Sequence, residues 1–458
     1  MNDLTQGSVH RHLSRLAGVI LFGMVFQTLY YLVDLYFVAK VSSEAVAAVS
    51  LSGNLMLVTV ALTQALTIGT TSLVAHAWGR KDYGEARRIF NQSQVLATGV
   101  GLLFVTAAFA LRERFAAGLA ADEVTARAVR DYLDWFLPAM GVQFLLVAMA
   151  AALRGAGEVK APMMVQMVAV LMNTILAPVL IVGWGTGRPL GVAGAGLATF
   201  LSICAGALLL VLWVRKRHDV LHFEPHHWWP DWALWRRMLG IGLPTGGEFL
   251  LMSVYATMIY GLIRGFGSHA QAGFGVGMRV LQTGFMPALA VGFAVAPLAG
   301  QNFGAGHFDR VRQSFKAGLL WASVIMLTFM ALCHISPIAM IRPFAEDPEV
   351  IAVGTEMLGI LSFNFLAAGV VFVASALFQA MGNTIPSLIA SGSRLLLFAV
   401  PAMVVSQRPG FALRQLWWLS VGSVLVQMVL ALWLLRREMR IKEDGLAAAR
   451  NEAFSRSA

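Results

Sequence analysis

VILFGMVFQTLYYLVDLYFVA, residues 19–39, is the stretch whose reading decides the fold class. An apolar run of about 20 residues is long enough to cross a hydrocarbon core as a helix. One ionisable side chain, Asp34, interrupts it. An acid at membrane depth costs about 3 kcal/mol on insertion scales, so chains that keep one normally use it to bind an ion or a substrate. The competing reading is an interfacial acid near the helix end that already meets water.

The rest of the chain follows the same pattern. Of 458 residues, 58% are hydrophobic and 13% charged, with a mean hydropathy of +0.71. Backbone groups in lipid are satisfied only by helices or closed barrels, and the runs are continuous rather than ten-residue alternating strands, so helices are expected. No short cleavable signal stands apart from the first run, which is expected to remain in the mature protein. A net charge of +10 suggests nucleic acid in a soluble domain. Here the bases instead fall mostly on one side of the predicted spans, which fits the positive-inside rule with both termini cytoplasmic and no nucleic-acid partner. Cys204 and Cys333 lie inside spans and read as small core residues rather than a disulfide.

Twelve spans can be drawn, and an internal repeat organises them. HAWGRKDY at residues 76–83, followed by Arg87, aligns with QNFGAGHF at residues 301–308, followed by Arg312, at an offset of 225 residues. Gly157 and Gly382 keep that offset, and each is followed by a proline, Pro162 or Pro386, that opens the next span. Six spans per copy is an even number, so both copies enter the membrane in the same sense. The expected fold is an all-α integral membrane protein with twelve transmembrane helices in two six-helix bundles, related by a pseudo-two-fold axis along the membrane normal. The expected divisions are a first bundle over 1–214, a cytoplasmic linker with an interfacial helix over 215–237, a second bundle over 238–435 and a basic cytoplasmic tail over 436–458.

The linker holds His218, His222, Glu224, His226 and His227, but their spacing matches no fixed ligand pattern, and no metal site is expected there. Asp231 can cap a helix carrying Trp228, Trp232 and Trp235, read as an interfacial anchor of the second bundle. There is no GxxxxGK[ST] loop, no HExxH and no paired-cysteine motif, so ATP-driven pumping by this chain alone is not indicated. The glycines at 183–187 and 191–196 read as tight turns and close helix packing.

These motifs together resemble a known family. GQNFGAG at 300–306, AWGRKDYGEA at 77–86, RGAGEVKAP at 154–162, FQAMGNTIP at 378–386, the LVD of the first span, Asn173 and GVAGAGLATFLS at 191–202 look like the multidrug and toxic compound extrusion (MATE) family, DinF-like bacterial type. The resemblance runs from the first span to the twelfth. It implies a bacterial inner-membrane antiporter, not an enzyme. Such a protein exports organic, often cationic, drugs or toxic compounds by alternating access in exchange for inward H+ or Na+, with no cofactor beyond the coupling ion. A monomer in the lipid bilayer with small organic substrates is the expected state.

By position the resemblance implies a cation-coupling group of Asp34, Asn173 and Thr199. The family often carries a second acid one turn after the Asn, where this chain has Ala177. A sodium ion prefers several oxygen ligands including charge, whereas a proton needs one carboxylate, so the departure favours H+ over Na+. Glu248 in the seventh span, with Met252, Gln27 and Tyr31, is the candidate substrate or second coupling site. NorM-like members carry their acid about one turn later, where Met252 stands, and their tenth-helix Asp has no counterpart in 358–379. A structural role for Glu248 therefore stays open. Arg279 and Arg394 are intramembrane bases that can neutralise a carboxylate or contact an anionic substrate. The alternatives are a lipid-linked or polysaccharide flippase of the wider superfamily and, more remotely, an integral membrane enzyme.

Overall fold

In the computed structural model the described backbone covers residues 3–39, 41, 43–120, 122–185, 187–217 and 220–457. The side chains of 29–35, 39, 43–44, 54, 119, 217 and 446–457 lie outside the description. Among the described residues the ordered elements are all helical: α1 Val9–Ala39, α2 Ser43–Gly79, α3 Tyr83–Leu119, α4 Glu123–Gly155, α5 Lys160–Ala177, α6 Gly191–Arg217 and α7 Trp232–Ile263. They continue with α8 Ser268–Gly304, α9 Phe308–Ile335, the short α10 Pro337–Ile341, α11 Pro348–Leu361, α12 Asn364–Ala380, α13 Ile385–Ser406 and α14 Leu413–Ser457. Ten are long and apolar enough to cross a membrane, and α11 with α12 makes one further span bent by 53°. The 31-residue α1 is a further long helix, at the place of the first expected span.

The repeat offset holds element by element. The ends of α2 and α8 are both 225 residues apart, as are the start of α4 and α11, the end of α4 and α12, and the starts of α5 and α13. The turn geometry repeats too. Lys81 and Gly306 both have positive φ, at 60° and 73°. In each, the next amide reaches back to the helix: Asp82 N–H to Ala77 O at 2.9 Å and His307 N–H to Asn302 O at 2.9 Å. These are left-handed helix ends that satisfy otherwise orphaned carbonyls. Gly157 and Gly382 do the same at φ 81° and 73°. The glycine landmarks therefore mark places where the backbone must enter the left-handed region.

The chain forms two compact units. One spans Gly18–Gly246; the other joins Leu4–Ala17 to the chain from Gly247 onward. The divisions thus fall inside α1 and inside α7 rather than in the linker. In the first unit α4 is the central helix, packed by α2, α3 and α6. Small residues let these backbones approach: a methyl on Gly155 would lie 2.7 Å from Thr71 O, and one on Gly196 would lie 2.7 Å from Tyr132 O. In the second unit α8 is central, with α9, α11 and α12 around it, and Gly273, Gly277 and Gly284 admit Val353, Met357 and Phe365.

Two local expectations are corrected. The interfacial helix is not separate: Asp231 caps α7 itself, its Oδ1 accepting the Leu234 N–H at 3.1 Å, and the helix runs on into the membrane. Its first turns belong to the first unit, where Trp235 Nε1 donates to Gln92 Oε1 of α3 at 2.8 Å. The tail likewise continues α14 through Ser457, because nothing in 436–457 interrupts it with a proline.

Candidate functional site

In the first unit the site is built where α5 meets α6. Asn173 and Thr199 are 1% and 5% exposed. Asn173 Nδ2 donates to Thr199 Oγ1 at 3.4 Å, while Asn173 Oδ1 is buried without a partner. A buried amide oxygen left unpaired costs about 1–3 kcal/mol, and such an atom in a membrane helix is a ready acceptor for a proton donor or a cation.

The local fold explains the approach. Pro178 has no N–H to give to Thr174 O, and α5 widens into a π-turn over Pro178–Val182 directly after the site. Gly194 of α6 lies against this turn, where a methyl would overlap the carbonyl of Leu180. The glycine-rich stretch at 191–196 is therefore a packing device that brings Thr199 to Asn173. Ala177, one turn after Asn173, is fully buried among Val38, Ile181 and Ala195.

Asp34 and Tyr31 lie on α1, but their side chains fall outside the described residues. Gln27 is exposed on the same helix. The spacing 27, 31, 34 places the three positions on one face of α1. Gly23, one turn earlier, meets α5 closely, since a methyl there would overlap Met163 Sδ.

The second unit carries a separate polar seam between α7, α12, α13 and α14. Glu248 Oε1 is buried and unpartnered, and Ser387 and Ser391 of α13 face its carboxyl. Ser387 Oγ donates to Ser375 Oγ at 2.8 Å, Gln379 Nε2 to the same Ser375 Oγ at 3.4 Å, and Gln427 Nε2 to Ser391 Oγ at 3.2 Å. Two turns along α7, the Arg394 guanidinium sits over the Tyr255 ring at 4.7 Å, and Tyr255 Oη bonds Ser420 Oγ at 2.7 Å. Arg394 Nε is buried without a partner, and among the described residues no ion pair joins Arg394 to Glu248. Met252, one turn after Glu248, is 58% exposed, and Arg279 is exposed on α8.

The structure places Asn173 beside Thr199 and sets Glu248 in a seam with Ser375, Ser387, Ser391, Gln427 and Tyr255, which the sequence reading did not single out. The signal was present as Ser387, Ser391 and Arg394 at i, i+4 and i+7, one polar stripe on an otherwise apolar helix.

Comparison with known proteins follows this geometry. The MatE family model matches residues 20–179 and 244–405. The chain is 27% identical over 384 residues to the probable multidrug resistance protein YoeA of Bacillus subtilis (strain 168), covering 82% of each. It is 28% identical over 387 residues to the probable multidrug resistance protein NorM of Thermotoga maritima, covering 83% of this chain and 82% of the relative. A crystal structure described as MATE in the bent conformation superposes with a TM-score of 0.90 at 22% identity, over 97% of this chain and 98% of that one. An outward-facing multidrug resistance MATE family transporter of the MOP superfamily superposes with a TM-score of 0.88 at 22% identity, over 96% and 98%. The two matched segments coincide with the two repeats and include Asn173 in one and Glu248, Ser387 and Arg394 in the other, so the chain belongs to the MatE family of multidrug and toxic compound extrusion transporters, and it is a membrane transporter rather than an enzyme.

Proposed function

We propose that the protein exports organic, mainly cationic, compounds across a bacterial inner membrane in exchange for inward protons, with both termini in the cytoplasm. The reading rests on one observation above the others: Asn173 Oδ1 is buried and unpaired beside Thr199, while the neighbouring position that an acid would need is the fully buried Ala177. A sodium cage wants about six oxygens with negative charge among them. The described oxygens of α5 and α6 at this place are one amide and one hydroxyl. A proton needs only the Asp34 carboxyl, which Asn173 and Thr199 would hold by hydrogen bonds when it faces them.

Alternating access then follows from protonation. Neutral Asp34 favours the state that releases a cation outside, and its deprotonation toward the cytoplasm restores the state that binds the next one. Glu248 serves as a second acid for the cationic substrate, since its carboxyl is not neutralised by any described base. The two compact units, Gly18–Gly246 and Leu4–Ala17 with the chain from Gly247 onward, act as the moving bundles.

Uptake of a fluorescent cation into inverted proteoliposomes, with a H+ gradient in one arm and a Na+ gradient in the other, tests the reading. Transport driven by H+ alone is expected; transport driven only by Na+ overturns the ion assignment. A second reading, export of compounds with an anionic headgroup, is favoured by Arg394, whose guanidinium has an aromatic neighbour and, among the described residues, no carboxylate partner. Loss of anionic-dye transport in Arg394→Gln with cation transport intact would establish it.

A further inference from the structure

We infer that the segment between α6 and α7 is a binding site for a borderline divalent transition ion such as Zn2+, held by Glu224, His226 and His227 with His222 alongside. Along the sequence the pattern H-x-E-x-H-H fits no standard ligand spacing. The structure changes its meaning, because Pro225–His227 forms a 3-10 turn, and in such a turn residues i and i+3 eclipse. Glu224 and His227 are thereby stacked on one side, and His226 turns the same way, its ring centroid 3.8 Å from that of His227.

The resulting distances bring three ligand atoms to within reach of one ion. The ligand atoms of Glu224, His226 and His227 all lie within 4.8 Å of one another. His227 Nε2 is 3.3 Å and His226 Nε2 is 3.6 Å from Glu224 Oε2, beyond the usual N–H···O range. Donor atoms around a tetrahedral ion with bonds of about 2.0 Å are separated by about 3.3 Å. The other carboxylate oxygen is already engaged: Oε1 takes the Arg87 Nη1 at 2.7 Å and His222 Nε2 at 2.9 Å. Oε2 is left to the metal, with Arg87 as the outer hydrogen bond that orients the ligand.

The site is also held in shape by α3. Asn91 Oδ1 accepts the Glu224 N–H at 2.9 Å and the Trp228 Nε1–H at 3.2 Å, and Asn91 Nδ2 donates to His222 O at 2.9 Å. Gln92 Nε2 donates to His227 O at 2.5 Å. These two amides fix the backbone on both sides of the ligands, which lowers the ordering cost of binding. A donor set of imidazoles with one carboxylate suits Zn2+, Ni2+ or Cu2+, and disfavours Mg2+ and Ca2+.

Calorimetric titration of the full-length, chelator-treated protein with ZnCl2 tests this, using an affinity tag that contains no histidine and is removed. One saturable site is expected, absent with MgCl2 and weakened about a hundredfold in the His226→Ala/His227→Ala double variant. Zn2+ should also raise the melting temperature of the wild type and not of the variant. If that variant fails to run as a monodisperse peak, His226→Asn alone serves, because His226 is the exposed ligand, at 69%. Co2+ in place of Zn2+ should give the visible absorption of a tetrahedral site. No saturable Zn2+ binding by the wild type, or binding equally tight in the variants, overturns the inference.

Discussion

Asn173 of α5 donates to Thr199 of α6 at 3.4 Å and leaves its own carbonyl oxygen buried without a partner. The pair supplies one acceptor and one hydroxyl but no charge of its own, so in the proposed mechanism the charge of the coupling site is assigned to Asp34 of α1. Asn173→Ala should therefore lower gradient-driven export about tenfold, a typical coupling free energy, with little loss of fold. Export rates in vesicles, together with size-exclusion profiles, check this. Unchanged export would remove the pair from the mechanism.

Ala177→Asp places an acid one turn after Asn173. Ala177 is fully buried in an apolar cluster, so an added carboxylate should cost about 3 kcal/mol. One turn from Asn173, it would also complete a cation site. Na+ is expected to raise the melting temperature of this variant and not that of the wild type. Sodium stabilisation of the wild type would contradict the proton assignment.

In the second unit, Glu248→Gln should reduce cation export while Ser387→Ala alters it less, since Ser387 also serves the Ser375 hydroxyl. Comparing initial rates for a cationic and a neutral substrate separates charge recognition from packing. Equal loss for both substrates would make Glu248 a structural acid.

The two left-handed turns differ in residue type. Lys81 is the one non-glycine residue with positive φ among the described residues. Gly306→Ala should lower stability by about 1 kcal/mol, whereas Lys81→Gly should be neutral or slightly stabilising. Thermal unfolding in detergent reads both. Equal melting of Gly306→Ala and wild type would show that the repeat turn is not strained by a side chain.

Asp231 gives a pH signature. The Leu234 N–H, and then Arg88, hold its carboxyl below the usual aspartate range. A depressed value means that its stabilisation is complete above the unfolded pKa and disappears as pH falls through the folded one. Asp231→Asn keeps a capping oxygen but loses the charge that meets the helix N-terminus and Arg88, so it should lower the melting temperature near neutrality by the equivalent of about 0.5 kcal/mol, and the difference should fade as pH falls through the lowered folded pKa. A constant difference across the whole range would assign the effect to packing.

Hydropathy and the repeat made the spans legible, down to Lys81 and Gly306, because lipid forces long helices and left-handed turns force small or special residues. The sites were legible only in part, because the two copies diverged. At the offset of 225 residues, Asn173 and Thr199 correspond to Phe398 and Val424, which are 0% and 1% exposed. Glu248 corresponds to Gly23, which packs on Met163. Each unit is polar where the other is apolar, so the repeat could not transfer one site onto the other. The α13 serines escaped notice because a hydroxyl in an apolar helix can satisfy itself on its own backbone, as Ser393 does on Ala390 O at 2.8 Å. The linker histidines gained a shared geometry only through the 3-10 turn at Pro225–His227.

Asp34 carries the central claim, and its measurement is direct: export of a cationic substrate by Asp34→Asn in vesicles with an imposed pH gradient, beside wild type at equal protein density. The account predicts that the variant still binds substrate but shows no gradient-driven export. Undiminished, gradient-dependent export by Asp34→Asn would contradict it.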